Sequence, residues 1–385
     1  MSTLPDRARI LLGPGPSPVS PRVMRALLAP PLSHLDPDML ALLDDLRARL
    51  ARIFRAPDGA FAFAVSGTGS AGLEAAAANL VREGTPVVAV VTGYFGDRLA
   101  NVCSRYGGRV HRVEGEWGRA IDPEALRRAL VTTRAEVVAM VHVETSTGVR
   151  NPVDELCAVA REHGCFTIVD AVTSLGGHPV EMAAWGADVV YSCSQKCLGA
   201  PSGMAPIAFS ARALERASCR SFYLDVHLLR EYWIGRKYHH TISAPLVYAL
   251  REAAIDVEEE TLETRWARHR HHHRVLASGL GAMGLELLPP EPERSWTLNA
   301  VCVPDGVAEA SVRRRLLAEA NLEIGAGLGP LAGRIWRVGL MGAGSSSDHL
   351  LTFLSAFERA LRAEGFATTP GAGAAAAGDA LATVR

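Results

Sequence analysis

FTIVDAVTSLGGHPVEMAAWGADVVYSCSQK, residues 166–196, holds two short apolar runs, Phe166–Val169 and Val189–Tyr191, each followed at once by polar side chains. Runs this short and this nearly continuous suit strands covered on both faces rather than helices with one wet side. Outward in both directions the pattern repeats at Phe61–Val65, Val87–Val91, Val137–Val143 and Ala205–Phe209, with longer amphipathic stretches between. Strands alternating with helices are the mark of βαβ units, so the fold class is α/β with a mainly parallel sheet. Ligands of such sheets sit beyond the carboxyl ends of the strands. The residues just after each run are therefore where chemistry is expected.

Four such places carry suitable side chains. Ser66-Gly67-Thr68-Gly69-Ser70-Ala71-Gly72 lies between a strand and a helix starting near Leu73, where glycines let the backbone approach an anion and the helix N-terminus favours a phosphate. The string also fits G-x-G-x-x-G. A dinucleotide site would want an acid about 20 residues on. Here that place holds Thr92-Gly93-Tyr94-Phe95, whose rings suit stacking on a flat group. Glu144-Thr145-Ser146-Thr147-Gly148 offers hydroxyls for a ring oxygen, or forms a plain turn or helix cap. Asp170 can keep a pyridine nitrogen protonated, or can cap the next helix. In Ser194-Gln195-Lys196 the lysine can condense with an aldehyde and shuttle a proton, or can be a surface charge.

Lysine usage weighs on the last choice. The chain has 40 basic residues, and only Lys196 and Lys237 are lysine. Arginine replaces lysine on a solvated surface but cannot serve as an imine-forming amine. A chain so depleted is expected to keep lysine where the amine itself is needed.

The 385 residues carry a formal net charge of -1 and 48% hydrophobic side chains. That length suits a large domain plus a smaller one, and the charge gives no reason to expect nucleic acid or a charged membrane as partner. No apolar run approaches the ~20 residues of a bilayer span, and Met1–Arg9 is polar rather than a signal peptide, so a soluble cytoplasmic protein is expected. Seven cysteines without metal-ligand spacing are read as reduced and structural, with no metal site.

Residues 245–281 have helical periodicity and lead out of the large domain. Leu298–Val303 and Arg334–Leu340 then read as strands, Ala308–Ala320 and Asp348–Ala363 as helices. The expected layout is an arm at 1–20, a large cofactor domain at 21–260, a smaller α+β domain at 261–366 and a disordered alanine- and glycine-rich tail at 367–385. RHRHHHR at Arg268–Arg274 invites a metal reading, but a helix spreads these side chains around its cylinder, which favours a solvated face.

Taken in order, GPGPSPVSPRVM, SGTGSAGLEA, VETSTGV, DAVTSLGG, YSCSQKCLGAPSG, KYHHTISAPLVYALREA and RVGLMG resemble the class-V aminotransferases of fold type I, in particular the alanine–glyoxylate and serine–glyoxylate branch. The match runs from Gly13 to about Gly342. It implies pyridoxal 5′-phosphate as cofactor and a homodimer with two active sites at the subunit interface. By this resemblance Lys196 carries the cofactor as a Schiff base and Asp170 partners its ring nitrogen. Thr68, Gly69, Ser70 and Gln195 hold the phosphate, with Tyr238 and Thr241 reaching it from the other subunit. Phe95 takes the place of a stacked aromatic, often tryptophan, and so lacks an indole N–H; Val172 packs on the opposite face. Thr145 bonds the ring hydroxyl and Arg337 grips the substrate carboxylate. Gly15, in the stiff loop Gly13-Pro14-Gly15-Pro16, lines the substrate entrance unless that loop merely links arm to domain.

The implied reaction is ping-pong transamination from a small amino acid to glyoxylate. Alanine is the first choice of donor, serine the second, with ureidoglycine and aminoethylphosphonate behind. Two rivals share parts of the pattern. A desulfurase or lyase needs a cysteine on a mobile loop, whereas Cys302 falls in an expected strand. A nicotinamide dehydrogenase would leave Lys196 without a task.

Overall fold

The computed structural model describes residues 8–382. Seven strands, β1 (Phe61–Ser66), β2 (Pro86–Val91), β3 (Arg109–Glu114), β4 (Val137–Val141), β5 (Phe166–Asp170), β6 (Val189–Tyr191) and β7 (Met204–Phe209), form one sheet in the order β1-β7-β6-β5-β4-β2-β3. β7 runs antiparallel to both its neighbours and the remaining pairs are parallel. Register sets the site: Val141 pairs with Asp170, and Asp170 with Tyr191, so the ends of three parallel strands lie side by side.

Six of these strands match apolar runs; β3 does not. Its sequence RVHRVE has only Val113 buried, because β3 is an edge strand paired with β2 alone. An edge strand carries charge without cost where neither neighbour nor helix covers it. The run expected at Val137–Val143 ends as a sheet strand at Val141, and Val143–Glu144 turns into a two-stranded ladder with Val149–Arg150.

Helices α1 (Pro37–Ile53), α2 (Gly69–Leu80), α3 (Tyr94–Arg105), α4 (Pro123–Thr133), α5 (Val153–Glu162) and α6 (Ala244–Glu260) surround the sheet. In α2 the alanine-rich sequence GSAGLEAAAANL allows close contact: a Cβ on Gly72 would stand 3.3 Å from side-chain carbons of Tyr191 and Ala205. The helical structure expected over 245–281 is two helices, α6 and α7 (Leu262–Ala282), broken at Thr261, whose φ of 68° no helix accepts. A second apolar cluster, separate from the one around the large sheet, lies under β8 (Leu298–Cys302), β9 (Gly325–Ala326) and β10 (Ile335–Gly339) with α8 (Glu309–Ala320) and α9 (Ser347–Ala363). Trp336 and Phe357 meet edge to face in its centre, centroids 5.1 Å apart.

Two expectations are corrected. The supposed disordered tail contains α10 (Ala372–Ala382), docked on α7 and α9; residues 383–385 lie outside the described ones. Its contact is made by small residues at close range, as at Gly279, where a Cβ would come 2.9 Å from Gly373 O. Such packing needs no stripe of large apolar side chains, which is the signal a sequence pattern looks for. The histidine run is not a solvated face either. His269, His272 and His273 are buried, and His269 Nδ1 donates to Arg265 O (2.7 Å) while its Nε2 accepts from Gly342 N (3.2 Å). His273 Nδ1 bonds Asn299 Oδ1 at 2.6 Å, and burial lowers its pKa to about 4. These neutral rings fasten α7 to the smaller sheet and to the Gly342 turn. Among the described residues no group of three or more His, Cys, Asp or Glu could hold a metal ion.

The N-terminal arm joins both parts. Ile10–Leu11 pairs in parallel with Leu322–Glu323, and Ser17 then bonds back to Gln195 and Lys196, N–H to Gln195 O at 2.9 Å and hydroxyl to Lys196 O at 2.7 Å.

Candidate active site

A cavity of about 140 Å³ opens at the carboxyl ends of β4, β5 and β6, where the register brings the candidate residues together. Lys196, Asp170, Thr145 and Gln195 line it, with Phe95 and Val172 among its apolar walls and Thr68, Gly69 and Ser70 at the start of α2. Nine residues from five separate segments, singled out in the sequence, meet in one place.

Asp170 closes β5 and is buried. Its Oδ1 accepts from Val172 N at 2.8 Å and its Oδ2 from the Tyr191 hydroxyl at 2.7 Å. Burial dominates and pushes the carboxyl up to about 6, against those two bonds and the Lys196 charge. A carboxylate so desolvated favours a cationic partner. Tyr191 was not foreseen: it ends β6 and looks like core, and only the parallel register puts its hydroxyl on the neighbouring carboxylate.

Lys196 follows β6, and Gly15 passes over it. A Cβ on Gly15 would lie 2.7 Å from Lys196 Cδ and Cε, and Gly15 has a φ of 116°, so a side chain is excluded twice. Lys196 Nζ donates to Pro14 O. Enclosure lowers the amine's pKa below its ordinary value, and the Arg337 charge adds to this. A lysine that gives up its proton readily is the nucleophile an aldehyde needs.

On the third side, Thr145 Oγ1 and Thr173 Oγ1 are bonded at 2.5 Å. Arg337, buried in β10, donates from Nε to Ala326 O at 2.6 Å and from a terminal nitrogen to Thr145 O at 3.2 Å. Burial lowers its pKa to about 10 while the nearby Glu144 opposes the shift. Phe95 lines the cavity; its neighbour Tyr94, 36% exposed, does not. Arg98, one turn on, is a further lining residue and places its guanidinium 5.1 Å from the Phe95 ring centre.

The remaining candidates lie elsewhere on the chain. Tyr238 is 61% exposed and Thr241 is exposed, and neither lines this cavity. Lys237 pairs with Glu231 at 2.5 Å on the surface. All seven cysteines are free, and Cys193 and Cys197, which flank the lysine segment, are buried with pKa values pushed up to about 12.

The residues fit pyridoxal phosphate. Gln195 Oε1 is buried without a partner, so nothing keeps that amide from turning its NH₂ donor to a phosphate; the first N–H groups of α2 have no intrahelical acceptor, and Thr68 caps that helix without its side chain. Phe95 and Val172 provide two apolar surfaces, and Asp170 with Lys196 the acid and the amine.

An amine, an acid at a neighbouring strand end and a helix N-terminus for phosphate, all on a mainly parallel sheet, define a fold type I pyridoxal-phosphate enzyme. The aminotransferase class-V family model matches residues 23–332. The alanine–glyoxylate aminotransferase of Drosophila melanogaster is 37% identical over 366 residues, covering 92% of this chain and 93% of that protein. Ureidoglycine–glyoxylate aminotransferase from Bacillus subtilis superposes with a TM-score of 0.96 at 36% identity, covering 99% and 100% of the two chains. Alanine–glyoxylate aminotransferase from Nostoc sp. gives 0.91 at 44% identity, covering 94% and 97%. The chain belongs to the class-V aminotransferases and uses pyridoxal phosphate to transfer amino groups. Among the described residues no helix is long and apolar enough to cross a membrane.

Proposed function

We propose that this enzyme transfers the amino group of alanine to glyoxylate, releasing pyruvate and glycine by a ping-pong route. The observation that carries the reading is the buried guanidinium of Arg337, fixed by Ala326 O and Thr145 O, the latter from a residue that lines the cavity with Lys196. All four reactants carry one α-carboxylate, so one planar fork can hold each in turn. The string Tyr238-His239-His240-Thr241, which resembles the alanine–glyoxylate branch, supports the choice of donor.

When bound, pyridoxal phosphate would supply the aldehyde and the electron-accepting ring that amino-group transfer needs. Lys196 Nζ would take the α-proton as base and, as an ammonium, would return it as acid. Asp170 keeps a proton on the ring nitrogen. Thr145 orients the ring oxygen, and Phe95 and Val172 exclude water from its two faces. Gln195 and the start of α2 hold the phosphate, and Gly15 lets the arm cover the lysine. Thr68 and Ser70 leave that end open in one chain. Tyr238 and Thr241 of a second copy complete it, which makes the active form a homodimer.

A second reading, with (S)-ureidoglycine as donor, rests on the 0.96 superposition with the Bacillus subtilis enzyme. Serine as donor is the third. Purified protein is given glyoxylate with each donor in turn, and glycine formation is followed. Alanine is expected to show the highest kcat/KM; a higher value with ureidoglycine moves the assignment to the second reading, and no glycine from any donor removes all three.

A further inference from the structure

Glu144 is a carboxylate with no exposed surface, in the short ladder that follows β4, and the chemistry above does not use it. Its Oε1 accepts from Ser146 N (3.0 Å), Ser146 Oγ (2.6 Å) and Phe95 N (3.3 Å), and its Oε2 from Gly96 N (3.0 Å). Ser146 Oγ in turn accepts from Tyr94 N at 3.0 Å. The first three N–H groups of α3, which lack intrahelical acceptors, are thus all taken up by this pair of side chains. Gly93 makes room for them: a Cβ there would lie 2.4 Å from Ser146 Oγ and 2.6 Å from Glu144 Cγ. Between Glu144 and Ser146 stands Thr145, whose carbonyl takes the Arg337 guanidinium and whose hydroxyl faces Thr173.

We infer that Glu144 is a positioning residue that fixes three parts of the site at once: the Phe95 wall, the Thr145 hydroxyl and the Arg337 fork. Phe95 is the second residue of α3, so its ring direction follows from how the helix start is anchored. The anchor comes from a different segment, the turn after β4, and this makes the gap between wall and hydroxyl a property of one carboxylate. Its charge also stands near the Arg337 guanidinium and offsets part of that cation's burial. Glutamine at 144 would keep one acceptor oxygen but turn an NH₂ toward either the Gly96 N–H or the Ser146 and Phe95 donors. A buried donor facing a donor leaves both unmet. The inference rests on the reading that this cavity holds the cofactor.

The test compares holoenzymes of wild type, Glu144→Gln, Phe95→Ala and the double variant. Readouts are the cofactor dissociation rate, the visible circular dichroism of the bound chromophore, and kcat and KM for the amino donor. Glu144→Gln is expected to release cofactor about tenfold faster, to lose at least half of the visible dichroism, and to raise KM more than it lowers kcat. In the Phe95→Ala background the same change should speed release no more than about twofold, because the wall it positions is gone. Glu144→Gln with native far-ultraviolet dichroism, unchanged release and unchanged visible dichroism overturns the inference. Full additivity with Phe95→Ala does so too. If Glu144→Gln does not fold, Ser146→Ala takes its place, since it removes the hydroxyl link to Tyr94 N and keeps the carboxylate; faster release, about threefold, is expected, and none overturns the inference. Wild-type protein that shows no bound chromophore after reconstitution removes the cofactor reading instead, a result the variants cannot mimic.

Discussion

The floor and the rim of the cavity are built differently. On the floor, Asp170, Tyr191, Thr145 and Thr173 are buried and bonded in two pairs, Asp170 with Tyr191 and Thr145 with Thr173, within one chain. On the rim, Thr68 and Ser70 are exposed, and their expected companions Tyr238 and Thr241 point to solvent elsewhere on the surface. Acid–base groups need a desolvated, prearranged setting, which strand ends locked in register supply. A phosphate needs only N–H groups, hydroxyls and an outer cover, which a second copy can bring. On our reading the chemistry belongs to one chain and the closure to two.

The largest effect is expected at the centre of the floor. Lys196→Arg keeps charge and length but cannot form an imine, so transamination should fall by roughly 10³-fold or more. Borohydride reduction and peptide mapping should label residue 196 in wild type and nothing in the variant. Wild type labelled elsewhere would show that the floor has been misassigned.

A smaller effect concerns the acid. Asp170 is raised from 3.8 to about 6, so between those values the folded apoprotein binds a proton that the unfolded chain has released. Stability of the apoprotein therefore declines as pH rises through about 4 to 6, by up to ~3 kcal/mol from this group. Asp170→Asn should remove that part of the decline, seen as a flatter pH dependence of the urea midpoint. Tyr191→Phe should steepen it, because the hydroxyl now opposes the shift. An unchanged slope in both variants would mean that the floor is wetter than its packing indicates.

The rim predicts the smallest loss per change and the clearest contrast. Tyr238→Phe with Thr241→Ala should weaken cofactor binding about tenfold without altering Asp170 or Lys196. Hybrid dimers of Lys196→Ala chains and rim-variant chains contain one site with an intact lysine and an intact rim if the site is shared. Activity with wild-type cofactor affinity, near half of wild type per dimer, is expected from the hybrids. Hybrids that show only the weakened affinity would place the rim within its own chain.

Much of the floor was legible in the residues. Asp170 and Lys196 follow apolar runs too short for anything but strands, and the scarcity of lysine drew attention to Lys196, which the fold places in the cavity. Tyr191 and Glu144 were not legible in their roles: one has the composition of a core strand, the other belongs to a motif whose hydroxyls drew the reading. Arg98 carried no signal at all. Strand β3 was hidden by the charge an edge permits, α10 by packing through glycine and alanine, and the buried histidines by their density in a polar helix.

By itself the sequence determined which groups exist and in what local setting: strands from apolar continuity, a phosphate-ready helix start from its glycines, an acid and an amine at strand ends. Those are short-range properties, set within a few residues by sterics and burial. Only the tertiary structure decided which groups meet. The Asp170–Tyr191 bond follows from strand register, and the Glu144 anchor of α3 from the approach of two segments about fifty residues apart, permitted by the missing side chain of Gly93. Such contacts depend on how strand ends and helix starts are stacked in space, which no local pattern encodes.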